Sequence, residues 1–447
     1  MEVRNWLDRR FCLTERKTTV RTEIMAGITT FMTMAYILAV NPLVLGATGM
    51  DPNALFTATA LSAMLATLIM ALSANYPYAL APGMGLNAFF AYTVVLGMGH
   101  SWQFALTAVL LEGLIFIALS LFKVREAIFD AIPTTLKKAV SVGIGLFIAL
   151  IGAINGGLVS SGKVGADGKT LLADGLIIQL GDITQPAAIV TMIGLVVTAV
   201  LLAYRVKGAL LIGIVVSTLA GIPLHVTQLP ERIVSLPPSL APIAFQFDFS
   251  NIFSFDMLIV LFSFLFVDIF DTIGTLVGVA SKTNMLDQKG KLPKISQCLL
   301  SDAVGTVAGS CMGTSTVTTF VESSSGVAEG GRTGLTSITT ACFFGLALFF
   351  APIFGIIPSA ATAPALILVG LFMMSPIKDI DLSDFTEAVP AFMTIVMMPF
   401  AYSIADGICF GMLSYVLVKL LTRKFRDISP MLYILAVLFL LRYIFLT

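Results

Sequence analysis

Long apolar stretches separated by short polar segments run along almost the whole chain. A transmembrane helix needs about 20 consecutive, mainly apolar residues, and twelve stretches approach or reach that length. They lie at 24–46, 55–73, 102–122, 139–157, 187–204, 208–224, 257–281, 295–310, 333–353, 356–374, 387–403 and 405–421. Two more, 78–98 and 311–331, are apolar but interrupted. The pattern predicts an all-α polytopic membrane protein with fourteen spans, of which the third and the tenth are broken.

Residues that disfavour a continuous helix mark both interruptions. In the third span the sequence PGMG, 82–85, precedes Asn87, and Pro and Gly both disrupt helices. In the tenth span the run TSTVTT, 314–319, is rich in β-branched residues, which favour an extended backbone. We expect a short extended stretch and then a half-helix in each, beginning near Gly85 to Asn87 and near Glu322. Because lipid does not tolerate exposed backbone polar groups, the two extended stretches are expected side by side inside the protein.

The distribution of basic residues supports this count, because cytoplasmic loops of membrane proteins are enriched in Lys and Arg. With the N-terminus inside and both broken spans crossing, only Lys163, Lys169 and Arg232 of the 26 Lys and Arg fall in outside loops. Arg442 is not assigned, since the apolar stretch 431–446 around it either spans the membrane or lies at the interface, which we favour. If either broken span did not cross, every later basic cluster would change sides.

Composition and charge exclude several classes of protein. Hydrophobic residues make up 57% of the 447 residues and charged residues 12%, whereas a soluble domain has about 25% charged residues. The net charge is zero, so nothing in it favours nucleic acid as a partner. The five cysteines are scattered without metal-ligand spacing, and we expect no metal ion. The N-terminal residues are polar and charged to about Glu23, so we expect no signal peptide.

Two short motifs recur at the same spacing in the two halves of the chain. Ile132-Pro133 is followed by GLF at 145–147, and Ile357-Pro358 is followed by GLF at 370–372, in each case starting twelve residues after the proline. The broken spans also hold the third place in each half, so the fourteen spans divide into seven plus seven. Because the number per half is odd, the second half enters the membrane from the opposite side, which predicts an inverted-topology repeat.

Carboxylates are predicted at membrane depth beside the broken spans. Glu322 follows the TSTVTT run, in a place we take as equivalent to that of Asn87, and Asp268 and Asp271 share a face of the eighth span. An acid at the centre of a membrane costs at least about 2.5 kcal/mol, so such acids are functional candidates. With Phe320 as a wall, they suit a small polar ligand carried across the bilayer. As alternatives, Glu322 only caps its half-helix, Asp268 or Asp271 is a structural hydrogen-bond partner in the helix bundle, and Phe320 only packs.

Structural roles are the alternative for the remaining polar and aromatic residues. Ser323 fits the first turn of the half-helix, where it caps the backbone or reaches the ligand. Phe89 and Phe90 either cover a flat ring or, as we favour, pack in the core. Glu112 and Asp302, on the fourth and ninth spans, are intramembrane acids that we expect to bond to the backbone of the broken spans rather than to a ligand.

These motifs together resemble a known family. The chain is similar to the nucleobase:cation symporters of the nucleobase–ascorbate type, in particular to the AzgA-like purine permease branch. The resemblance extends over nearly the whole chain and rests on TVRTEIMAGITTFMTMAYILAVNP at 19–42, APGMGLNAFF at 81–90, FVDIFDTIGTLVG at 266–278 and GTSTVTTFVESSSGVAEGGRTGL at 313–335. It implies a UraA-like fold, in which spans one to four and eight to eleven form a core domain, the other spans form a gate domain, and the substrate lies between them.

The resemblance also implies roles for individual residues. Glu322 matches the acid of span ten that accepts ring N–H groups of the base, and Asp271 matches the acid of span eight. Asp268 and Asn87 match polar positions that the AzgA-like branch uses, and Phe320 stands where the family has an aromatic residue beside the base.

Departures from the uracil and xanthine branch favour purines. That branch has histidines where this chain has Thr272 and Thr275, and it has Asn where this chain has Ser323. The expected substrate contacts are therefore Asn87, Asp268, Asp271, Phe320, Glu322 and Ser323.

On this reading the chain divides into seven segments. They are a cytoplasmic N-terminal segment 1–23, the core domain of repeat one 24–131, the gate domain of repeat one 132–226, an outside loop 227–256, the core domain of repeat two 257–355, the gate domain of repeat two 356–421, and a C-terminal segment with an apolar helix 422–447.

The hypothesis that follows is proton-coupled import of purine nucleobases (adenine, guanine or hypoxanthine) by alternating access. Burial favours the protonated form of a carboxyl group, and Asp268, Asp271 and Glu322 are the candidates for proton coupling. We expect no enzyme activity, no catalytic residue and no cofactor other than the coupled proton. The expected location is a bacterial inner membrane, with lipid around the protein and the N-terminus in the cytoplasm. Family members often dimerise through the gate domain, so a homodimer is also considered.

Three alternatives stay open at this point. An anion transporter of the same fold would bind an oxyanion between the half-helices, but Glu322 would repel it. A membrane-embedded metal-dependent transferase would use Asp268 and Asp271, but such enzymes need a second acid-rich motif and basic phosphate ligands. A receptor or scaffold without transport activity is disfavoured by the inverted repeat.

Overall fold

The computed structural model describes residues 2–121, 133–161, 178–230, 232–281, 285 and 292–445, and these residues are mostly helical. In chain order the α-helices are α1 (Glu2–Phe11), α2 (Val20–Met34), α3 (Ile37–Gly46), α4 (Pro52–Ser73), α5 (Met84–Ala88), α6 (Trp102–Leu121), α7 (Thr134–Asn155), α8 (Pro186–Ala203), α9 (Ala209–Ala220), α10 (Phe255–Ser281), α11 (Ile295–Met312), α12 (Ser323–Ala328), α13 (Gly334–Ala347), α14 (Ala351–Gly355), α15 (Ser359–Met373), α16 (Phe385–Phe400), α17 (Ile404–Leu421) and α18 (Pro430–Phe445). The strands are β1 (Leu80–Pro82), β2 (Val159–Ser161), β3 (Ile178–Leu180) and β4 (Val317–Thr319), and a π-helix (Phe89–Gly97) continues α5.

Eight helical segments among the described residues are long and apolar enough to cross a membrane. They are Val20–Gly46, Pro52–Ser73, Trp102–Ser120, Thr134–Asn155, Pro186–Ala203, Gly334–Gly355, Ser359–Asp379 and Ile404–Leu421. The prediction of a helical polytopic membrane protein is thereby confirmed. The other six predicted spans fall on Met84–Gly97, α9, α10, α11, β4 with α12, and α16, of which Met84–Gly97, α9 and α16 are shorter apolar helices and α10 is a continuous helix of 27 residues.

Two predicted spans are less regular than the apolar pattern suggested. The first, predicted as one helix over 24–46, begins earlier at Val20 and is divided by a turn at Ala35 and Tyr36. The segment around this turn contains neither Pro nor Gly, so the break has no local sequence signal. The eleventh, predicted as 333–353, passes from α13 through a 3₁₀ turn into α14, whose first turn contains a proline.

The two broken spans meet at their extended stretches. Strand β1 pairs with β4 in antiparallel orientation, with Ala81 opposite Thr318 at the centre of the register. Each strand is followed by a half-helix, α5 after Gly83 and α12 after Glu322. This arrangement matches the expectation that two extended stretches lie side by side, and it lets their backbone groups pair with each other away from lipid. The π-helix that follows α5 was not predicted.

A threonine from the preceding helix completes the hydrogen bonding of each strand. Thr67 Oγ1 in α4 accepts a hydrogen bond from Leu80 N at 2.9 Å and donates one to Leu80 O at 3.1 Å. Thr306 Oγ1 in α11 does the same for Val317, at 3.2 Å from the nitrogen and 3.0 Å from the oxygen. Leu80 and Val317 therefore occupy corresponding places in the two broken spans.

The recurring GLF motifs also meet. Helices α7 and α15 approach each other closely at these motifs. A Cβ on Gly145 would lie 2.5 Å from the carbonyl oxygen of Gly370, and a Cβ on Gly370 would likewise meet the carbonyl oxygen of Gly145. The two helices also begin alike, because Pro133 is the N-cap of α7 and Pro358 that of α15.

The segment between α9 and α10 covers one end of the helices that support the broken spans. Phe245 N donates to Cys311 O at 2.9 Å, Asp248 N to Thr107 Oγ1 at 2.8 Å, and Thr57 Oγ1 to Pro238 O at 3.0 Å. This segment is the predicted outside loop 227–256. The β2–β3 hairpin was not predicted. Ile132 of the first repeated motif and the outside residues Lys163 and Lys169 fall outside the described residues.

The main apolar core runs through the middle of the protein. Its buried side chains come from both halves of the chain and include Phe89, Phe90 and Phe320. A second buried cluster fills the space between α4, α10 and α11 and includes Val317 of β4. The paired breaks thus lie within the protein interior.

Candidate functional site

One face of α10 contacts both breaks. Asp271 lies beside the first break, since a Cβ on Gly83 would come within 3.6 Å of Asp271 Oδ2. Thr272, the next residue, lies 2.7 Å from Thr318 through their hydroxyl oxygens, and Thr318 belongs to β4. The eighth predicted span therefore brings its polar residues to the β1–β4 pair, as their spacing indicated.

Asp268 is fully buried and is joined to a second acid by one hydroxyl group. Thr272 Oγ1 lies 3.0 Å from Asp268 Oδ1 and 3.1 Å from Asp302 Oδ2. We had expected Asp302 to bond to the backbone of a broken span. Oδ2 of Asp302 contacts a side chain of α10, and Thr272 in turn contacts Thr318 of β4.

Glu322 is the N-cap residue of α12 and is half-buried. Its side chain makes no capping hydrogen bond to α12, which argues against capping as its role. Oε1 of Glu322 instead accepts a hydrogen bond of 2.9 Å from the hydroxyl of Tyr36, in the turn between α2 and α3. Sequence reasoning missed Tyr36, because an isolated tyrosine in an apolar stretch gives no signal that distinguishes it from a packing residue.

Asn87 is buried and is turned toward the other break. Its Oδ1 accepts a hydrogen bond from the hydroxyl of Ser315, just before β4. Asn87 is the fourth residue of α5, whereas Glu322 immediately precedes α12. The expectation that these two residues hold equivalent places is therefore wrong, since a residue of the first break matching Glu322 would lie nearer Gly83.

Ser323 and Glu112 have structural contacts. The Ser323 hydroxyl accepts a hydrogen bond of 3.0 Å from Ala79 N and is fully buried, so it joins the start of α12 to the first broken span. Glu112 Oε2 accepts a hydrogen bond of 2.6 Å from the Thr316 hydroxyl. The expected structural role of Glu112 fits this contact, although the partner is a side chain and not the backbone.

The phenylalanines near the breaks are buried. Phe89 packs edge-on against Phe264 with ring centroids 4.8 Å apart, and Phe90 is likewise inaccessible. Phe320 is 6% exposed, and its backbone nitrogen donates to Ala79 O at 3.0 Å. Packing is thus the observed role of Phe89 and Phe90, while Phe320 adjoins the segment that leads to Glu322.

The predicted acids are brought together. Asp271 is close enough to Asp268 and to Glu322 to interact electrostatically with both. The Tyr36 hydroxyl is also close enough to Asp271 for an electrostatic interaction. Asp271 and Glu322 are partly exposed, whereas Asp268 is inaccessible. Among the described residues, no group of three His, Cys, Asp or Glu side chains is arranged to hold a metal ion.

Broken helices that pair inside a helical membrane protein, with acids gathered around the break, are typical of the substrate sites of secondary transporters. Comparison with protein families agrees with this class: residues 21–409 match the model Xan_ur_permease, described as a permease family. The chain belongs to this family, and it is a multi-pass membrane transporter and not an enzyme.

Two relatives match over nearly their full lengths. The adenine permease AdeP of Escherichia coli is 42% identical over 439 residues, which cover 98% of this chain and 96% of AdeP. The guanine/hypoxanthine permease PbuG of Bacillus subtilis is 45% identical over 447 residues, which cover 98% of this chain and 99% of PbuG.

A solved structure shares the fold at low sequence identity. The transmembrane domain of the cyanobacterial bicarbonate transporter BicA superposes with a TM-score of 0.65 at 18% identity, covering 86% of this chain and 96% of that domain. This likeness concerns the fold alone.

Proposed function

We propose that this protein carries purine nucleobases across the membrane and that Glu322 accepts hydrogen bonds from the ring N–H groups of the base. The observation that carries the proposal is the position of this carboxylate: it lies beside the paired breaks, partly exposed, and is not used as a helix cap. Relatives that are 42% and 45% identical are named for adenine and for guanine and hypoxanthine.

The chemistry of the site suits such a ligand. A purine base is flat and uncharged and carries both N–H donors and ring-nitrogen acceptors. Glu322 and Asp271 offer carboxyl oxygens, which accept hydrogen bonds when ionised and donate one when protonated. An anion is a poorer candidate, because two acids beside the break would repel it. The likeness to a bicarbonate transporter does not favour an anion, since it extends only to the fold.

We further propose that the chain forms fourteen spans in two inverted repeats of seven. Two reciprocal features support this arrangement. Thr67 and Thr306 make the same pair of hydrogen bonds to the two broken spans, and Gly145 and Gly370 face each other across the two helices that begin at equivalent prolines. In this arrangement the core domain moves against the gate domain, which exposes the site to one side of the membrane and then to the other.

Proton coupling is the third part of the proposal, and the surroundings of Thr272 support it. A hydroxyl group has one proton to donate. Thr272 Oγ1 nevertheless lies within 3.1 Å of three oxygens, those of Asp268, Asp302 and Thr318. These three contacts are all satisfied when Thr318 donates to Thr272, Thr272 donates to one carboxylate, and the other acid is protonated and donates to Thr272. We take Asp268, which is fully buried and lies on the same helix as Asp271, as the candidate for the coupled proton.

Uptake of radiolabelled adenine, guanine and hypoxanthine into cells lacking their own purine permeases tests the proposed substrate. We expect saturable uptake by the wild type and loss of high-affinity uptake in Glu322→Gln, because the amide offers one acceptor oxygen and presents N–H groups in place of the other. Glu15→Gln, at an exposed position, is the matched control. Wild-type affinity in Glu322→Gln would refute the assignment of this residue.

The coupling ion is tested separately in proteoliposomes. An inward-directed pH gradient at a clamped membrane potential should accelerate uptake, and a protonophore should remove the acceleration. Uptake that is indifferent to the gradient would refute proton coupling and leave purine transport intact.

A further inference from the structure

Tyr36 is placed to act on the ligand-binding acid from a distant part of the chain. It lies in the turn that separates α2 from α3, its side chain is 1% exposed, and its hydroxyl oxygen is 2.9 Å from Glu322 Oε1. The two residues are 286 positions apart in sequence. The first predicted span thus contributes a donor to the tenth.

A buried phenol needs a hydrogen-bond partner, and an ionised carboxylate is a strong one. Hydrogen bonds from O–H groups to carboxylates are shorter and about twice as strong as those between neutral groups. A carboxylate has two oxygens with about four acceptor sites. The Tyr36 hydroxyl engages Oε1, which fixes the orientation of the carboxylate and leaves acceptor sites for donors of a ligand.

Other acids lie near the Tyr36–Glu322 hydrogen bond. Asp271 on α10 interacts with both Glu322 and the Tyr36 hydroxyl, and Asp268 on the same helix interacts with Asp271. Neighbouring acids disfavour a second negative charge, whereas a hydrogen bond donated to the carboxylate favours it. Among these groups the Tyr36 hydroxyl is the one that donates a hydrogen bond to the Glu322 carboxylate.

We propose that Tyr36 is the positioning residue of the binding site: its hydroxyl holds the Glu322 carboxylate in the orientation that binds the base. The inference rests on the proposed function, in which Glu322 contacts the base. Tyr36 acts through Glu322 and not on the base itself, so its loss should impair binding more than the movement of the protein through its transport cycle.

The test is Tyr36→Phe, which removes one oxygen and keeps the ring. We expect the KM for hypoxanthine or adenine to rise about 10- to 100-fold, as for loss of a hydrogen bond to a charged group, with kcat changed less than about threefold. Tyr78→Phe is the matched control. Tyr78 is also fully buried, but its hydroxyl contacts the sulfur of Met285 at 3.9 Å and no carboxylate, so its KM should stay at the wild-type value.

A double variant separates positioning from a general packing role. Glu322→Asp keeps a carboxylate but draws it back from Tyr36 by one methylene group, so adding Tyr36→Phe to Glu322→Asp should raise KM less than about threefold further. A full additional increase in that background would show that Tyr36 acts independently of Glu322 and would overturn the inference. Binding of radiolabelled hypoxanthine to purified, monodisperse protein gives the same comparison when uptake is limited by expression.

The outcomes distinguish the two proposals. Base uptake by the wild type with an unchanged KM in Tyr36→Phe would overturn the role of Tyr36 and leave the proposed function standing. Absence of any base uptake or binding by the wild type would overturn both.

Discussion

Replacing Glu23 tests whether a buried carboxylate organises the end of the eleventh span. Glu23 had been assigned to the polar N-terminal segment, but it lies in the first turn of α2 and is fully buried. Its Oε1 accepts a hydrogen bond from Arg332 N at 2.9 Å. Its Oε2 accepts three, from Thr333 N at 3.2 Å, Thr333 Oγ1 at 2.9 Å and Thr336 Oγ1 at 2.6 Å. These donors surround the N-terminus of α13, where free N–H groups and the helix dipole favour a negative charge.

The magnitude follows from these four contacts. In Glu23→Gln the remaining oxygen best takes the place of Oε2, which has three donors, so the amide nitrogen faces Arg332 N and that hydrogen bond is lost. A hydrogen bond to a charged group contributes about 1.5–3 kcal/mol, and one between neutral groups about 0.5–1.5 kcal/mol. The neutral amide is easier to desolvate than the carboxylate, which offsets part of this cost. We therefore expect the free energy of unfolding to fall by about 2–4 kcal/mol. Glu23→Ala, which removes both acceptor oxygens and so all four hydrogen bonds, should cost more.

Thermal unfolding of the detergent-purified protein measures this effect. With an unfolding entropy of about 2.1 cal/mol/K per residue, a chain of 447 residues changes Tm by about 1 °C per kcal/mol, so Glu23→Gln should unfold about 2–4 °C below the wild type. Glu15→Gln, in the same segment but exposed, should unfold at the wild-type temperature. Equal Tm values for the two variants would refute the reasoning.

Two further substitutions test the contacts that hold the helices together. Gly145→Ala would place a methyl group 2.5 Å from a carbonyl oxygen of α15 and should cost about 1–3 kcal/mol of stability by overpacking. We expect a lower Tm and slower uptake for this variant. In the control Gly355→Ala the added methyl group meets no atom within 4 Å, so its Tm and uptake should stay at the wild-type values. Thr306→Val removes the hydroxyl that bonds both backbone groups of Val317 and should cost about 1–3 kcal/mol. Thr198→Val, which loses only a bond within its own helix, should cost less; equal losses would contradict the special role of Thr306.

The features that could be predicted from sequence are those with a local cause. Apolar length placed the helices, Pro82 and the glycines after it ended the helical pattern of the third span, and the β-branched run before Phe320 indicated the extended stretch of the tenth. Pairing of the two stretches followed because backbone groups inside an apolar protein need partners. Asp268 and Asp271 were predicted to lie together because i and i+3 residues share a helix face, and they do lie on one continuous helix.

The features that were missed depend on contacts between distant segments. The hydrogen bond from Tyr36 to Glu322 joins residues about 300 positions apart, and so does the hydrogen bond from Thr333 to the buried Glu23. Neither contact has a signature within its own segment. The proposed equivalence of Asn87 and Glu322 failed because it matched polar residue types. The correct correspondence depends on which backbone groups Thr67 and Thr306 bond, and only the fold shows that.

The polar residues around the breaks have two separable tasks. Thr67 and Thr306 satisfy the backbone of the extended strands, and Ser323 ties the two broken spans together. A site built in this way is rigid only as long as these hydroxyls are in place, because an unpaired backbone group in an apolar interior is costly. Their loss should therefore reduce stability and transport together. Glu322 bonds to a tyrosine hydroxyl and to no strand, so its replacement should reduce transport while stability is largely kept, and that difference separates a binding residue from a supporting one.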